Sequence, residues 1–422
     1  MSEQIRITDL GRPQLTEQQR GAVAYGETLT VDLSPDSILE EARQATGLAD
    51  FGPKDFLERL HLLCSEWGQD EDLLGLGRLA LRNKLLQQAK NRLLIQAVLQ
   101  RHPEIHQVNI SAPIIVAGLP RSGTTHLLNL MAADQRLRAL PLWESYEPVP
   151  MPGEGLLESG VDPRYQRCED QWQMMQALSP LLATMHPMNP GHIHEELELM
   201  GPDFASYNYE WLSVSPRWRD HYYATDQTPH YEYMKTVLKI LTWQDGDTSG
   251  ENTRWVLKCP QHLEQLTVLH RVFPDATIAI THRDPVSVIQ SAVTMLAYGQ
   301  RTSRKRVDLD SLIQYWSDRV VHLLQACSAD RHKIPGAQSI DVPFHEFMAD
   351  DMAMVEKIYR KAGLAMTEEA QGQLQAFLDA NPRGKHGRIV YNLREDFGVE
   401  PTQLRSRFDF YFDRFPVQLE VK

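Results

Sequence analysis

The segment of the sequence that most clearly carries chemistry is a glycine loop, Gly118-Leu-Pro-Arg-Ser-Gly-Thr-Thr125. Glycines let backbone N–H groups turn inward, and the apolar helical run after the loop adds the positive end of a helix dipole. The G-x-x-x-x-G spacing is that of an ATP-binding loop, but Thr124 stands where such a loop has its lysine. We therefore expect a phosphate site in which an arginine replaces that lysine. Its predicted residues are Arg121, Ser122, Gly123, Thr124 and Thr125.

Short apolar runs separated by helical stretches must position this loop. The runs are residues 114–117, 255–257, 277–280 and 339–342. Continuous apolar runs are typical of strands that are buried on both faces, as in a parallel sheet. The alternation of strand and helix predicts an α/β fold of the P-loop type, with three layers and a central, mainly parallel sheet. Ligands of such folds bind at the carboxyl ends of the strands, where the glycine loop begins.

The first hundred residues have a different, helical pattern. Ser34 followed by Pro35 is typical of a helix start, and a stripe of apolar residues farther along predicts a long amphipathic helix. We expect this stripe to pack on the domain that follows it. The predicted organisation is a mainly helical N-terminal extension over residues 1–110 and a catalytic domain over residues 111–422. The stripe consists of Leu79, Leu85, Leu86, Ala89 and Leu93.

Composition excludes several classes of protein. The chain has 422 residues and a formal net charge of −13, a balance that opposes nucleic-acid binding, so an anionic ligand needs a local cationic pocket. Neither a run of about 18 apolar residues nor a secretory signal is present, which predicts a cytoplasmic protein without a transmembrane segment. The four cysteines show no C-x-x-C spacing and are expected to be reduced thiols.

A second motif follows the third apolar run. It reads Thr281-His-Arg-Asp-Pro285, and Ser291 lies eight residues after Arg283. Asp284 and Pro285 suit the cap and first turn of a helix, which would bring Ser291 within two turns of the arginine. Arg283 can bind a phosphate through two parallel hydrogen bonds. The alternative is an arginine paired with Asp284 and a serine that faces solvent.

Together the two motifs resemble those of sulfotransferases that use 3′-phosphoadenosine 5′-phosphosulfate (PAPS). The resemblance implies that the glycine loop holds the 5′-phosphosulfate and that Arg283 and Ser291 hold the 3′-phosphate. It extends to Trp255-Val-Leu-Lys-Cys-Pro-Gln-His-Leu263 and to a basic glycine segment, Arg383-Gly-Lys-His-Gly387, whose Lys385 would help to cover the nucleotide. It spans residues 36–415 and is closest to the bacterial branch with a helical N-terminal extension.

Sulfuryl transfer depends on positioning and on stabilisation of charge, as phosphoryl transfer does. Arg121 is the candidate for the leaving 5′-phosphate and Lys258 for the sulfonyl oxygens, with a surface lysine as the alternative for Lys258. The acceptor hydroxyl also needs a base. Glu144, in a Leu-Trp-Glu segment similar to that of the family, and His262, four residues after Lys258, are the two candidates.

The segment His192-Ile-His-Glu-Glu196 permits two interpretations. Glu195 and Glu196 resemble an acidic pair that lies near the acceptor in this branch, whereas His192 and His194 beside carboxylates also suggest a metal site. A third histidine at metal-site spacing is missing and transfer from PAPS needs no metal, so we expect an acceptor-lining or structural role and no metal.

The expected function is PAPS-dependent transfer to a hydroxyl or amine of a small-molecule, lipid or glycan acceptor. One alternative is a nucleotide kinase or triphosphatase, which the missing lysine after Gly123 and the absence of a clear strand-end aspartate for magnesium argue against. The other alternative is a non-catalytic interaction protein on a nucleotide fold, which the intact cations Arg121, Lys258 and Arg283 argue against.

Overall fold

A computed structural model describes residues 4–385 and 387–422 of the chain. Helices dominate its first hundred residues, as predicted. Ser34 caps the second helix with its side-chain oxygen, which accepts the N–H of Ser37 at 3.4 Å, and Pro35 occupies the first turn. The elements of this region are β1 (Gln4–Arg6), α1 (Glu17–Glu27), α2 (Pro35–Thr46), α3 (Phe56–Gly68) and α4 (Gly75–Arg101).

Parallel strands form the central sheet. Its strands are β2 (Ile114–Gly118), β3 (Val256–Cys259), β4 (Thr277–His282) and β5 (Ser339–Pro343). They lie in the order β3-β2-β4-β5, and each neighbouring pair is parallel. All residues of β2, β3 and β4 are buried, as a sheet covered on both faces requires. The predicted parallel sheet and all four predicted strands are confirmed.

Helices cover both faces of this sheet. Those between β2 and β4 are α5 (Thr124–Met131), α6 (Leu142–Tyr146), α7 (Pro163–Leu178), α8 (Pro180–Met185), α9 (Asn208–Leu212), α10 (Pro216–Ala224), α11 (Thr228–Gln244) and α12 (Leu266–Val272). Those after β4 are α13 (Pro285–Gly299), α14 (Leu309–Asp330), α15 (Phe344–Ala349), α16 (Asp351–Lys361), α17 (Glu368–Ala380), α18 (Leu393–Phe397), α19 (Pro401–Arg405) and α20 (Asp409–Phe412).

Alternate residues of β2 enter different hydrophobic cores, because successive side chains of a strand point to opposite faces. Ile115 and Ala117 join the core formed with α11, α12, α13 and α14. Ile114 and Val116 join the core formed with α5, α16 and α17. The sheet therefore lies between two helical layers, which confirms the expected three-layer α/β fold.

The N-terminal helices pack on the long connection between β2 and β3. Leu85, Ala89 and Leu93 of α4 are fully buried, and their core includes Phe204 and Trp218 from that connection. The apolar stripe of α4 is thus mostly buried against the region that follows it, as expected. Leu79 and Leu86 are exceptions, because both are only partly buried, and Leu86 faces a cavity described below.

Two features near the chain ends are not predicted by the sequence. Strand β6 (Arg388–Val390) pairs in parallel with β1, which joins distant parts of the chain. The tail after α20 crosses the start of α13, where the N–H of Glu420 donates to Asp284 at 2.8 Å.

Among the described residues, no helix is both long and apolar enough to cross a membrane. All four cysteines are buried and unpaired with one another.

Candidate functional site

The glycine loop connects β2 to α5 at the carboxyl edge of the sheet. Gly118 lies so close to β4 that a Cβ at this position would overlap the hydroxyl of Thr281. Gly123 has φ = +81°, a conformation that glycine adopts without a steric penalty. The hydroxyl of Ser122 shares a 2.8 Å hydrogen bond with that of Thr281. The loop therefore has a fixed shape, and the unpaired N–H groups of the first turn of α5 lie at its end.

Arg121 bridges the glycine loop and α13. Its backbone is left-handed, with φ = +65°, and its Nε donates to the Ser291 hydroxyl at 3.0 Å. Its Nη1 donates to the carbonyl of Met185. The structure thus brings together two residues that the sequence assigned to opposite ends of a nucleotide.

Arg283 follows β4 and lies beside the same loop. Its Nη1 donates to the carbonyl of Arg121, and its guanidinium lies 4.0 Å from the ring centre of Phe344. Its remaining donors hold the carboxylate of Glu420 at 2.7 and 2.6 Å, and Ser287 also donates to that carboxylate at 3.3 Å. Asp284 caps α13 by accepting the N–H of Val286, so it does not pair with Arg283.

Lys258 lies near the end of β3 and is buried, so the alternative of a surface lysine is wrong. It pairs with Val116 of β2, the strand that leads into the glycine loop. Its Nζ lies 3.2 Å from the Thr125 hydroxyl and forms an ion pair with Glu195. Burial raises the pKa of Glu195, and the charge of Lys258 only partly offsets this effect. Lys258 is therefore in contact with both the glycine loop and Glu195.

His262 forms no hydrogen bond with the glycine loop or with Glu195, although the sequence predicts that it faces the same cleft as Lys258. It lies in a 3₁₀ helix, Pro260–Glu264, and is fully buried. Its Nε2 lies 2.5 Å from Glu196, and its Nδ1 lies 2.9 Å from the Tyr231 hydroxyl. Both ring nitrogens are occupied, and Glu196 also accepts the backbone N–H of Lys258 at 2.8 Å. This geometry favours a positioning role for His262, and its role as a base stays a prediction.

Glu144 is also engaged elsewhere. Its carboxylate accepts from Arg138 at 2.6 Å, and Arg138 in turn contacts Asp245. Burial raises the pKa of Glu144, while the charge of Arg138 opposes the shift. Glu144 is not among the residues that line the adjacent cavity, so the geometry does not support the sequence-based choice of Glu144 as base.

A cavity of about 840 Å³ opens beside the loop. Arg121, Thr124, Thr125 and Glu195 form part of its wall, so Glu195 is a carboxylate that both contacts Lys258 and faces open space. The sequence had placed Glu195 near the acceptor without giving it a chemical step. Helix α4 contributes another part of the wall, a contribution that the sequence did not indicate. The α4 residues concerned are Ala80, Asn83, Lys84, Leu86, Gln87 and Lys90.

Three histidines surround the Lys258–Glu195 pair. Burial, together with the charge of Lys258, lowers the pKa of His192 to about 4 and also lowers the pKa values of His186 and His194. These rings are therefore neutral near pH 7. Within residues 4–385 and 387–422, no group of three or more potential ligands has the geometry of a metal site.

The basic glycine segment near the C-terminus is not joined to this site by the contacts of its described residues. Lys385 donates to the carbonyl of Ala380 at 3.1 Å and is exposed. Arg383 pairs with Asp351 at 2.6 Å. His386, which belongs to the same motif, lies outside the described residues. The expected contact of Lys385 with a nucleotide stays a prediction.

The parallel sheet between two helical layers defines a three-layer α/β protein, with the glycine loop at the carboxyl edge of the sheet and a helix behind that loop. A sequence model of the sulfotransferase family matches residues 113–368. The chain belongs to that family, and the protein is a transferase of the sulfotransferase class.

Two solved structures resemble the chain over most of its length. Sulfotransferase STF1 from Mycobacterium tuberculosis H37Rv shares 29% identity with a TM-score of 0.76, over 90% of this chain and 100% of the other. Sulfotransferase STF9 from Mycobacterium avium shares 24% identity with a TM-score of 0.81, over 92% and 98% of the two chains. The second likeness concerns the fold alone. A search of curated protein sequences finds no match.

Proposed function

We propose that the protein transfers a sulfuryl group from PAPS to an acceptor hydroxyl. The observation that carries this proposal is the junction of two anion sites: Arg121 of the glycine loop bonds to Ser291, and Arg283 bonds to the backbone of Arg121. A nucleotide with a phosphosulfate at one end and a 3′-phosphate at the other needs two such cationic groups. The carboxylate of Glu420 on Arg283 is a stand-in anion, which supports the fit of a phosphate at that position.

Each cation then has a separate task. Arg121 and the N–H groups at the start of α5 stabilise negative charge on the 5′-phosphate, and Arg283 with Ser291 binds the 3′-phosphate. Lys258, held by Thr125 and Glu195, stabilises the sulfonyl oxygens. A fixed cation beside developing charge is effective because it need not reorganise during the reaction.

Glu195 is our candidate for the base. It lines the cavity, it contacts Lys258, and burial raises its pKa, which makes the carboxylate a better proton acceptor. In the step, Glu195 takes the proton of the acceptor hydroxyl, whose oxygen forms a bond to sulfur. The bond between sulfur and the 5′-phosphate oxygen breaks, and its electron pair stays on the phosphate beside Arg121. PAPS supplies the activated sulfuryl group.

The first test compares two nucleotides by calorimetry. Adenosine 3′,5′-bisphosphate should bind at least ten times more tightly than adenosine 5′-phosphate, since a charge-assisted contact contributes roughly 1.5–3 kcal/mol. Arg283→Ala should remove this preference. Arg360→Ala is the matched control, because Arg360 is exposed and, among the described residues, its ion pair is with a neighbouring glutamate of its own helix.

Equal affinities of the wild-type protein for the two nucleotides would refute the assignment of Arg283. Tight binding of ATP or GTP, with no binding of adenosine 3′,5′-bisphosphate, would instead favour the kinase alternative. Transfer itself is measured by mass spectrometry as a gain of one sulfo group on an acceptor.

A further inference from the structure

The cavity beside Glu195 has walls of two kinds. The glycine loop and Glu195 line one end of the cavity, where the proposed transfer takes place. The other walls come from helices α4, α7, α8, α9 and α13. The latter walls are rich in thioether and aliphatic side chains. They include Leu86, Met174, Met175, Leu182, Leu212 and Met295. Methionines fill irregular space and adapt to the shape of an apolar ligand.

Charges on the cavity wall are largely neutralised within the protein. Glu198 accepts from Lys84 and from Asn208, each at 2.7 Å. Glu147 pairs with Arg167 at 2.5 Å. These paired charges bind a hydroxyl-rich ligand such as a sugar only at the cost of breaking the ion pairs.

Two large apolar side chains of the wall are left open to solvent. Met174 is 66% exposed and Leu212 is 40% exposed, and both line the cavity. Exposed apolar side chains gathered in one concave surface are typical of a ligand site, whereas scattered ones are ordinary. The volume of about 840 Å³ is within the range of roughly 300–1,000 Å³ that small-molecule sites have.

We infer that the acceptor carries its hydroxyl on a largely apolar body, with the hydroxyl at Glu195 and the body against the methionine- and leucine-lined wall. This inference rests on the proposed sulfuryl transfer and names the acceptor class for it. Lys84 on the wall is paired with Glu198, whereas Lys90 has no ion pair within the described part of the chain, so the wall accommodates a neutral body or one with a single anionic group.

The test uses a panel of three defined probes with the full chain saturated with adenosine 3′,5′-bisphosphate. These are 1-decanol, 10-hydroxydecanoic acid and maltose, and binding is measured by thermal shift. At least one of the two decyl compounds should stabilise the protein saturably, and maltose should not. With PAPS, the same decyl compound should gain one sulfo group.

Variants locate the binding. Met174→Glu and Leu212→Glu should each weaken binding of the decyl probe roughly tenfold, because they place a charge against its apolar body. Both positions are exposed, so folding should be retained. Leu156→Glu is the matched control, since Leu156 is 70% exposed and does not line the cavity, and it should leave binding unchanged.

Three results would overturn the inference. The first is binding or sulfation of maltose in preference to both decyl compounds, and the second is no binding of either decyl compound. The third is binding of a decyl compound that Met174→Glu and Leu212→Glu leave unchanged. Failure of the proposed function looks different. In that case adenosine 3′,5′-bisphosphate does not bind, while the decyl probe still binds in the absence of nucleotide and is still weakened by the two variants.

Discussion

The carboxylate of Glu420 competes with the 3′-phosphate of the proposed nucleotide, because both need the same donors of Arg283. Glu420→Ala should therefore tighten the binding of adenosine 3′,5′-bisphosphate. The binding of adenosine 5′-phosphate, which has no 3′-phosphate, should be unchanged. The variant separates affinity from stability, since loss of the ion pair should lower the melting temperature slightly while nucleotide affinity rises.

The size of the effect follows from the geometry of the pair. Two parallel hydrogen bonds to a charged group would contribute roughly 1.5–3 kcal/mol in a buried site. The side chains of Arg283 and Glu420 are 20% and 30% exposed, so solvent screening reduces this contribution towards that of a surface pair, and we take about 1 kcal/mol. This value corresponds to an affinity about five times higher in the variant.

Calorimetric titration of both nucleotides into the wild-type protein and the variant measures this difference. Glu400→Ala is the control, because Glu400 forms a comparable but exposed ion pair with Arg394 away from Arg283. The reasoning is refuted if Glu420→Ala binds adenosine 3′,5′-bisphosphate no better than the wild type does. It is also refuted if both nucleotides gain equally, since the gain would then not arise at the 3′-phosphate.

Further outcomes are expected for catalysis and for pH dependence. Glu195→Gln should lower turnover by about 10²–10⁴ and leave the affinity for adenosine 3′,5′-bisphosphate unchanged. Glu144→Gln should keep most of the turnover. The opposite pattern in steady-state kinetics would favour Glu144 as the base. The pKa of His192 is about 4 in the fold against about 6.5 in an unfolded chain, so the unfolded state binds the additional proton between these values. Stability should therefore fall as the pH drops from 6.5 to 4, and His192→Gln should reduce this slope by up to about 1.4 kcal/mol per pH unit in urea titrations. Turnover should survive EDTA, and a loss that magnesium or zinc restores would contradict the expected metal-independent transfer.

The parallel sheet and its glycine loop are the parts of the structure that local sequence predicts well. Buried strands read as continuous apolar runs, and the loop glycines record a close approach to β4 and a left-handed turn. The cap of α2 at Ser34 and the cap of α13 at Asp284 were also predicted. Each of these features depends on a few neighbouring residues, so its signal lies within a short stretch of sequence.

The choice of base stays a prediction, because it depends on contacts of a different kind. Spacing along the chain placed His262 one turn after Lys258, but a 3₁₀ helix directs the ring towards Glu196 and Tyr231 instead. Glu144 fits a family-like segment, yet Arg138 takes its carboxylate. These contacts depend on where each side chain points in the folded protein. The periodicity of apolar residues in the sequence carries no information about such side-chain contacts. The contact between Glu420 and Arg283 joins residues more than a hundred positions apart and gave no local signal.

Most of the apolar cavity wall comes from segments other than those that hold the nucleotide contacts; helix α13 contributes to both. Helix α4 and the connection that contains α7, α8 and α9 supply most of the wall, whereas Arg283 and Ser291 lie on β4–α13. Substitutions at Met174 or Leu212 therefore leave the nucleotide contacts in place. Under the proposed function, libraries restricted to wall positions should change which acceptor is used while the donor site stays the same.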